Sequence, residues 1–152
     1  MTGLVESYLR TTYRVTSVDP AIDIRIGEPC PALDALLEKH AARTWAFVTA
    51  WNPGSKQLDE AENRHRQGKL EAEVKQRGYV FFRGAGIPDD FIEQCSGSSF
   101  HVHPSSLDLW SPEESILILG IERSEAERLG RKFGQAAIVI GTSSTAPELL
   151  FL

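Results

Sequence analysis

The run Ala46-Phe47-Val48-Thr49-Ala50-Trp51 is almost wholly apolar and is stopped at once by Asn52-Pro53-Gly54-Ser55. So short an apolar run fits a strand covered on both faces, which places it at the centre of an α/β sheet. Ser115 to Ile121 repeats the pattern in the second half of the chain. Each run leads into a helical stretch and then a further strand, Tyr79 to Arg83 in the first case and Ala136 to Ile140 in the second. A ten-residue helix and a five-residue strand have matching lengths of about 15 Å, so the second unit suits a crossover that returns the chain parallel.

The remaining elements follow from local signals. Residues Leu4 to Thr11 make a short helix with Leu4, Tyr8 and Leu9 inward. Tyr13 to Val18 and Ala21 to Ile26 flank Asp19-Pro20, and the alternation of Ile22, Ile24 and Ile26 with Asp23 and Arg25 predicts an antiparallel hairpin with one wet face. Pro31 opens a helix to about Arg43, with Leu33, Leu36, Leu37 and Ala41 at helical spacing. Asp59 with Glu62, and Ser124 with Glu127, have capping-box form, and Gly78 and Gly134 stand where those two helices stop. The Gly, Ser, Pro and Asp content of residues 84–112 predicts a long irregular loop. The expected fold is a single α/β domain over residues 1–152, a mixed sheet with two strand-helix-strand units flanked by helices and an N-terminal antiparallel hairpin.

Composition removes several function classes. The 152 residues are 41% hydrophobic and 24% charged, enough for a real core. Sixteen Lys and Arg against 21 Asp and Glu give a net charge of -5, which leaves no basic footprint for duplex nucleic acid. No apolar run approaches the roughly 20 residues of a membrane helix, and the start lacks the pattern of a signal peptide. With only Cys30 and Cys95, no disulfide framework is indicated, and a cytoplasmic location is expected.

Ligands of open α/β sheets collect beyond the carboxyl ends of the strands. There the turn Asn52-Pro53-Gly54-Ser55-Lys56 offers an amide, a hydroxyl and an ammonium. The next helix adds Asn63 and Arg64, the latter able to hold a carboxylate or phosphate through two bonds. Trp110 precedes the second central strand and could stack on a ring, while Glu114 and Gln135 stand at further strand and helix ends. In the long loop Cys95, His101, His103 and Asp108 lack the paired spacing of a structural zinc site. Gly84-Ala85-Gly86 lacks the third glycine of a dinucleotide turn, and Gly97-Ser98-Ser99 sits in no strand-to-helix elbow, so cofactor and reaction stay unassigned. Asp89-Asp90 and Glu113-Glu114 are adjacent pairs that a strand would split between its two faces.

Phe47 to Pro53 with Ser55, Asn63-Arg64 with Leu70 and Gly78, Glu114-Ser115, Gly120-Ile121, and Phe133-Gly134-Gln135 with Ala137-Ile138-Val139 together resemble a small bacterial family catalogued as domain of unknown function 3293. The resemblance spans roughly Tyr13 to Ile140 and departs most between Gly86 and Trp110. It implies a fold-level grouping and supports these positions, but carries no established activity.

The expected function is therefore a small-molecule-binding domain, as an enzyme or as a binder, for a nucleotide-like or other anionic metabolite. Asn52, Ser55, Asn63, Arg64, Trp110, Glu114 and Gln135 would line one cleft. Arg64 would neutralise the anion, Trp110 would stack and Glu114 would be the general base. The competing reading is a non-catalytic interaction or regulatory module, for instance a homodimer. It uses the aromatic residues as an interface.

Overall fold

The computed structural model describes residues 2–91 and 112–152. Cys95, His101, His103, Asp108 and Trp110 lie outside the described residues. The first central strand forms as β3 (Thr44–Thr49), with Ala46 and Val48 buried on one face and Trp45 and Phe47 on the other, as an apolar run demands. The second forms as β5 (Glu113–Leu119), in which Ile116, Leu117 and Ile118 are fully buried.

Helix α1 (Thr2–Leu9) leads into β1 (Thr11–Val15), which pairs with β2 (Ile22–Ile24) so that Tyr13 faces Ile24 and Val15 faces Ile22. The predicted hairpin is thus present, with shorter arms. Helix α2 (Pro31–Lys39) carries Pro31 in its first turn and buries Leu33 and Leu37. Helix α3 (Glu60–Gln76) starts as its sequence predicts, the Asp59 carboxylate accepting from the Glu62 N–H at 2.8 Å. Gly78 leaves it at φ +84°. Strand β4 (Val80–Pro88) follows.

Helix α4 (Arg123–Lys132) begins one residue before Ser124. The expected Ser124 capping box does not form, because Ser124 is already inside the helix and extended Glu122 precedes it without a side-chain bond. Strand β6 (Ala137–Thr142) and an unforeseen β7 (Glu148–Phe151) complete the order.

The seven strands form one sheet in the order β2-β1-β4-β5-β3-β6-β7, and every hydrogen-bonded pair is antiparallel. Both strand-helix-strand units do return parallel, β4 to β3 and β6 to β5, but each admits a strand of the other unit between its own two. The sheet is therefore antiparallel at each neighbour pairing, where a mixed sheet was expected. Residues 44–142 have the split β-α-β-β-α-β arrangement called ferredoxin-like, with the β1-β2 hairpin added beside β4 and β7 beside β6.

The strand pleat divides the core in two. Ala46, Val48, Ile116, Ile118 and Ile138 pack under α3 and α4 with Leu70, Val74 and Leu129. On the opposite face Trp45, Phe47, Leu117, Leu119 and Val139 pack with α2 and the hairpin. This second face runs beyond the reach of α2 toward the carboxyl ends of β3 and β4, where its residues become small. Gly84 of β4 pairs with Ser115 of β5 and Gly86 with Glu113, and the same two glycines pair with Val15 and Tyr13 of β1. The sheet surface is hollow there.

Candidate functional site

The turn after β3 is strained in a defined way. Asn52 adopts φ 47°, ψ 62°, the left-handed conformation that asparagine tolerates better than most residues. Pro53–Ser55 then form a single 3-10 turn. Buried hydrogen bonds hold Asn52 in place: its N–H donates to Asn63 Oδ1 at 2.9 Å, and its Oδ1 accepts from Asn63 Nδ2 at 2.9 Å and from the Leu58 N–H at 3.0 Å. Its remaining group, Nδ2, donates to Glu113 Oε1 at 2.9 Å. Asn63, only 2% exposed, therefore acts as a brace.

The end of α4 fastens the other side of the turn. Gly54 N–H donates to the Gly134 carbonyl at 2.7 Å, and Gln135 Nε2 donates to the Trp51 carbonyl at 3.1 Å. Arg66 bridges the Ala50 and Phe133 carbonyls from α3 at 2.9 and 2.6 Å. Gln67 beside it accepts from the Ala50 N–H at 2.9 Å.

Over the hollow sheet surface lies a cavity of about 420 Å³, within the range of small-molecule sites. Its floor is Phe47, Thr49, Ser115, Glu113 and Ala137; α1 supplies Leu4, Ser7 and Tyr8; Asn52, Ser55 and Gln135 form the rim at the turn. Tyr13 stands edge-on to Phe47 with ring centroids 5.4 Å apart. Gly86 lies between Tyr13 and Glu113 in the pairing, so no side chain separates phenol from carboxyl.

Glu113 is the charged residue of this lining among the described residues. Burial pushes its carboxyl above the usual carboxylate range, and the Asn52 hydrogen bond opposes that shift in part. Burial also raises both tyrosines, and the nearby Glu113 charge adds to the shift of each, so the phenols stay neutral.

Of the residues expected in one cleft, Asn52, Ser55 and Gln135 line this cavity, and Asn63 supports it from behind. Arg64 and Glu114 do approach each other, with Nε to Oε1 at 3.9 Å, but neither lines the cavity. Their side chains are 63% and 51% exposed, and Arg64 also pairs with Glu60 at 2.7 Å. Trp110 lies outside the described residues. Sequence reasoning missed Glu113, Thr49, Ser115, Tyr8 and Tyr13. The signal was available in β5: Glu113 shares the face of Ser115, Leu117 and Leu119, so period-two alternation selects it over Glu114. Among the described residues no group of three His, Cys, Asp or Glu side chains could hold a metal ion, and no helix is long and apolar enough to cross a membrane.

No curated protein and no solved structure matches the chain. A family profile matches residues 48–138, more than half of the sequence, and this span runs from β3 to β6 across both split units and the turn at Asn52. The chain belongs to the family described as Protein of unknown function (DUF3293).

Proposed function

We propose that this protein binds a small molecule in the cavity beyond the carboxyl ends of β3 and β4, with Glu113 as its principal polar contact and Asn52, Ser55 and Gln135 around the rim. One observation carries the reading: a mostly apolar hollow of about 420 Å³ contains, among the described residues, one half-buried carboxyl, held in position by an asparagine whose other groups are all engaged. A concave apolar site with a few convergent polar groups, one of them an acid shifted by burial, is the usual form of a ligand or active site. The same acid is also the group best placed to move a proton, a role the sequence had given to Glu114.

The test is a fragment screen on isotopically labelled protein. Fragments that bind are expected to shift the amide signals of Thr49, Asn52, Glu113 and Gln135 together. Hits that consistently map elsewhere, or none at millimolar concentration, would remove this cavity as the functional site.

A further inference from the structure

Resting on that cavity as the binding site, we infer that its ligand is a cation, an ammonium or amidinium group on an apolar or ring-shaped body, with the charged nitrogen seated at Glu113. The hydroxyls on the strands favour this first. Thr49 donates to the Glu114 carbonyl at 2.6 Å, Ser115 to the Glu113 carbonyl at 3.0 Å, Thr11 to the Ser7 carbonyl at 2.7 Å and Tyr13 to the Tyr8 carbonyl at 3.3 Å. Each hydroxyl has one proton, and these four protons are turned into the backbone, which leaves lone pairs for a guest, whereas the hydroxyls of Ser7, Tyr8 and Ser55 in the same lining can still donate. Gln135 likewise uses its Nε2 on the Trp51 and Phe133 carbonyls. On the strands beside Glu113 and at Gln135 the lining thus presents acceptors, which favour a guest that donates.

Charge narrows the class further. Among the described residues the lining holds no Lys, Arg or His, and no ion pair is made by Glu113. Asn52, its backbone and amide both pinned, is a fixed donor that holds Glu113 Oε1 at the cavity. An anion would meet a like charge. A neutral donor could bond the carboxylate but would leave a half-buried charge uncompensated, which is unfavourable, whereas a cation removes that cost. The rings of Tyr13 and Phe47 offer the aromatic surface a cation or its ring-shaped body favours.

Three probes of one shape decide the matter: benzamidine, neutral benzamide and anionic benzoate, each titrated into isotopically labelled wild-type chain and Glu113→Gln, with the amide signals followed by NMR. Benzamidine is expected to bind the wild type at least about tenfold more tightly than benzamide, with benzoate weakest. In E113Q it should lose about tenfold, the value of one well-placed charged contact, while benzamide changes by less than about threefold. Benzamide or benzoate matching benzamidine on the wild type, or benzamidine unaffected by E113Q, overturns the inference and leaves the cavity as a site for another class. No probe of any charge shifting the cavity amides overturns both. Should E113Q fold poorly, the order of the three probes on the wild type decides alone.

Discussion

Glu113 and Glu114 are adjacent on β5 and leave it on opposite faces, the first half-buried beside Asn52, the second exposed 3.9 Å from Arg64. Their substitution by glutamine should therefore differ. The folded chain holds the Glu113 proton more tightly than the unfolded chain does, so the contribution of this group is fully present below the unfolded value of about 4.3 and lost as pH rises through the higher folded value. Glu113→Gln escapes that loss. It is expected to raise Tm at pH 7 by a few degrees, the effect of about 1 kcal/mol in a chain of this size, and the gain should vanish below about pH 4. Glu114→Gln removes one exposed, long ion pair and should change stability by less than about 0.5 kcal/mol. Melting curves of both variants from pH 3 to 8 check the pair.

The Asn52 turn separates backbone cost from side-chain bonding. Asn52→Ala deletes three side-chain hydrogen bonds and places an alanine at φ 47°. It should cost about 3 kcal/mol or more, since each net bond is worth about 1 kcal/mol and donors and acceptors on Asn63, Leu58 and Glu113 lose their partner. Asn52→Gly loses the same bonds without the left-handed penalty, and should be about 1 kcal/mol less damaging than alanine. Equal urea midpoints for the two variants would refute a strained turn.

Gly84 is fixed by a close approach of chains. A Cβ there would run into the carbonyl oxygen of Arg14 on β1, which is backbone and cannot swing aside. Gly86, two residues on, would meet the Tyr13 ring at 3.7 Å and the Thr11 methyl at 3.8 Å, both ordinary contacts. Gly84→Ala should therefore cost about 1–3 kcal/mol by overpacking, and Gly86→Ala much less. Gly86→Ala should also narrow the space between Tyr13 and Glu113 and weaken probe binding. Denaturation with the same NMR titration checks both effects.

What could be read in advance was what local pattern determines. The apolar run at 46–51, the Ile22 and Ile24 alternation and the Asp59 cap each depend on near neighbours, and each folds as a strand, a hairpin or a helix start close to where expected. Insertion of β5 between β3 and β4 joins residues some 70 and 30 positions apart, and no local periodicity encodes that pairing. Gly84-Ala85-Gly86 looked like loop for the same reason: its glycines fit a strand because β1 and β5 flank them on both sides. The site divided likewise. Asn52 and Gln135 stand out as strand and helix ends, whereas Glu113 emerges only once the start of β5 is placed, because a one-residue difference reverses which acid enters the cavity.

Arg25 links the hairpin to the roof of the cavity, and its partner Asp89 should titrate in the sense opposite to Glu113. The guanidinium bonds both Asp89 oxygens, at 2.9 and 3.0 Å, the Thr12 hydroxyl at 2.8 Å and the Leu9 carbonyl at the end of α1 at 3.3 Å. Its hydrogen bonds hold the Asp89 carboxyl below the ordinary range against a smaller opposing effect of burial. A lowered folded value gives stability that is present above the unfolded value of about 3.9 and lost as pH falls through the lowered one. Asp89→Asn is expected to cost about 1–3 kcal/mol at pH 7, the range for bonds to charged partners, and to approach the wild type as the pH drops below 4. Because α1 supplies Leu4, Ser7 and Tyr8 to the cavity, loosening its end should also weaken benzamidine severalfold without altering its preference over benzamide. A parallel loss of that preference would mean that Asp89, rather than Glu113, sets the charge selectivity.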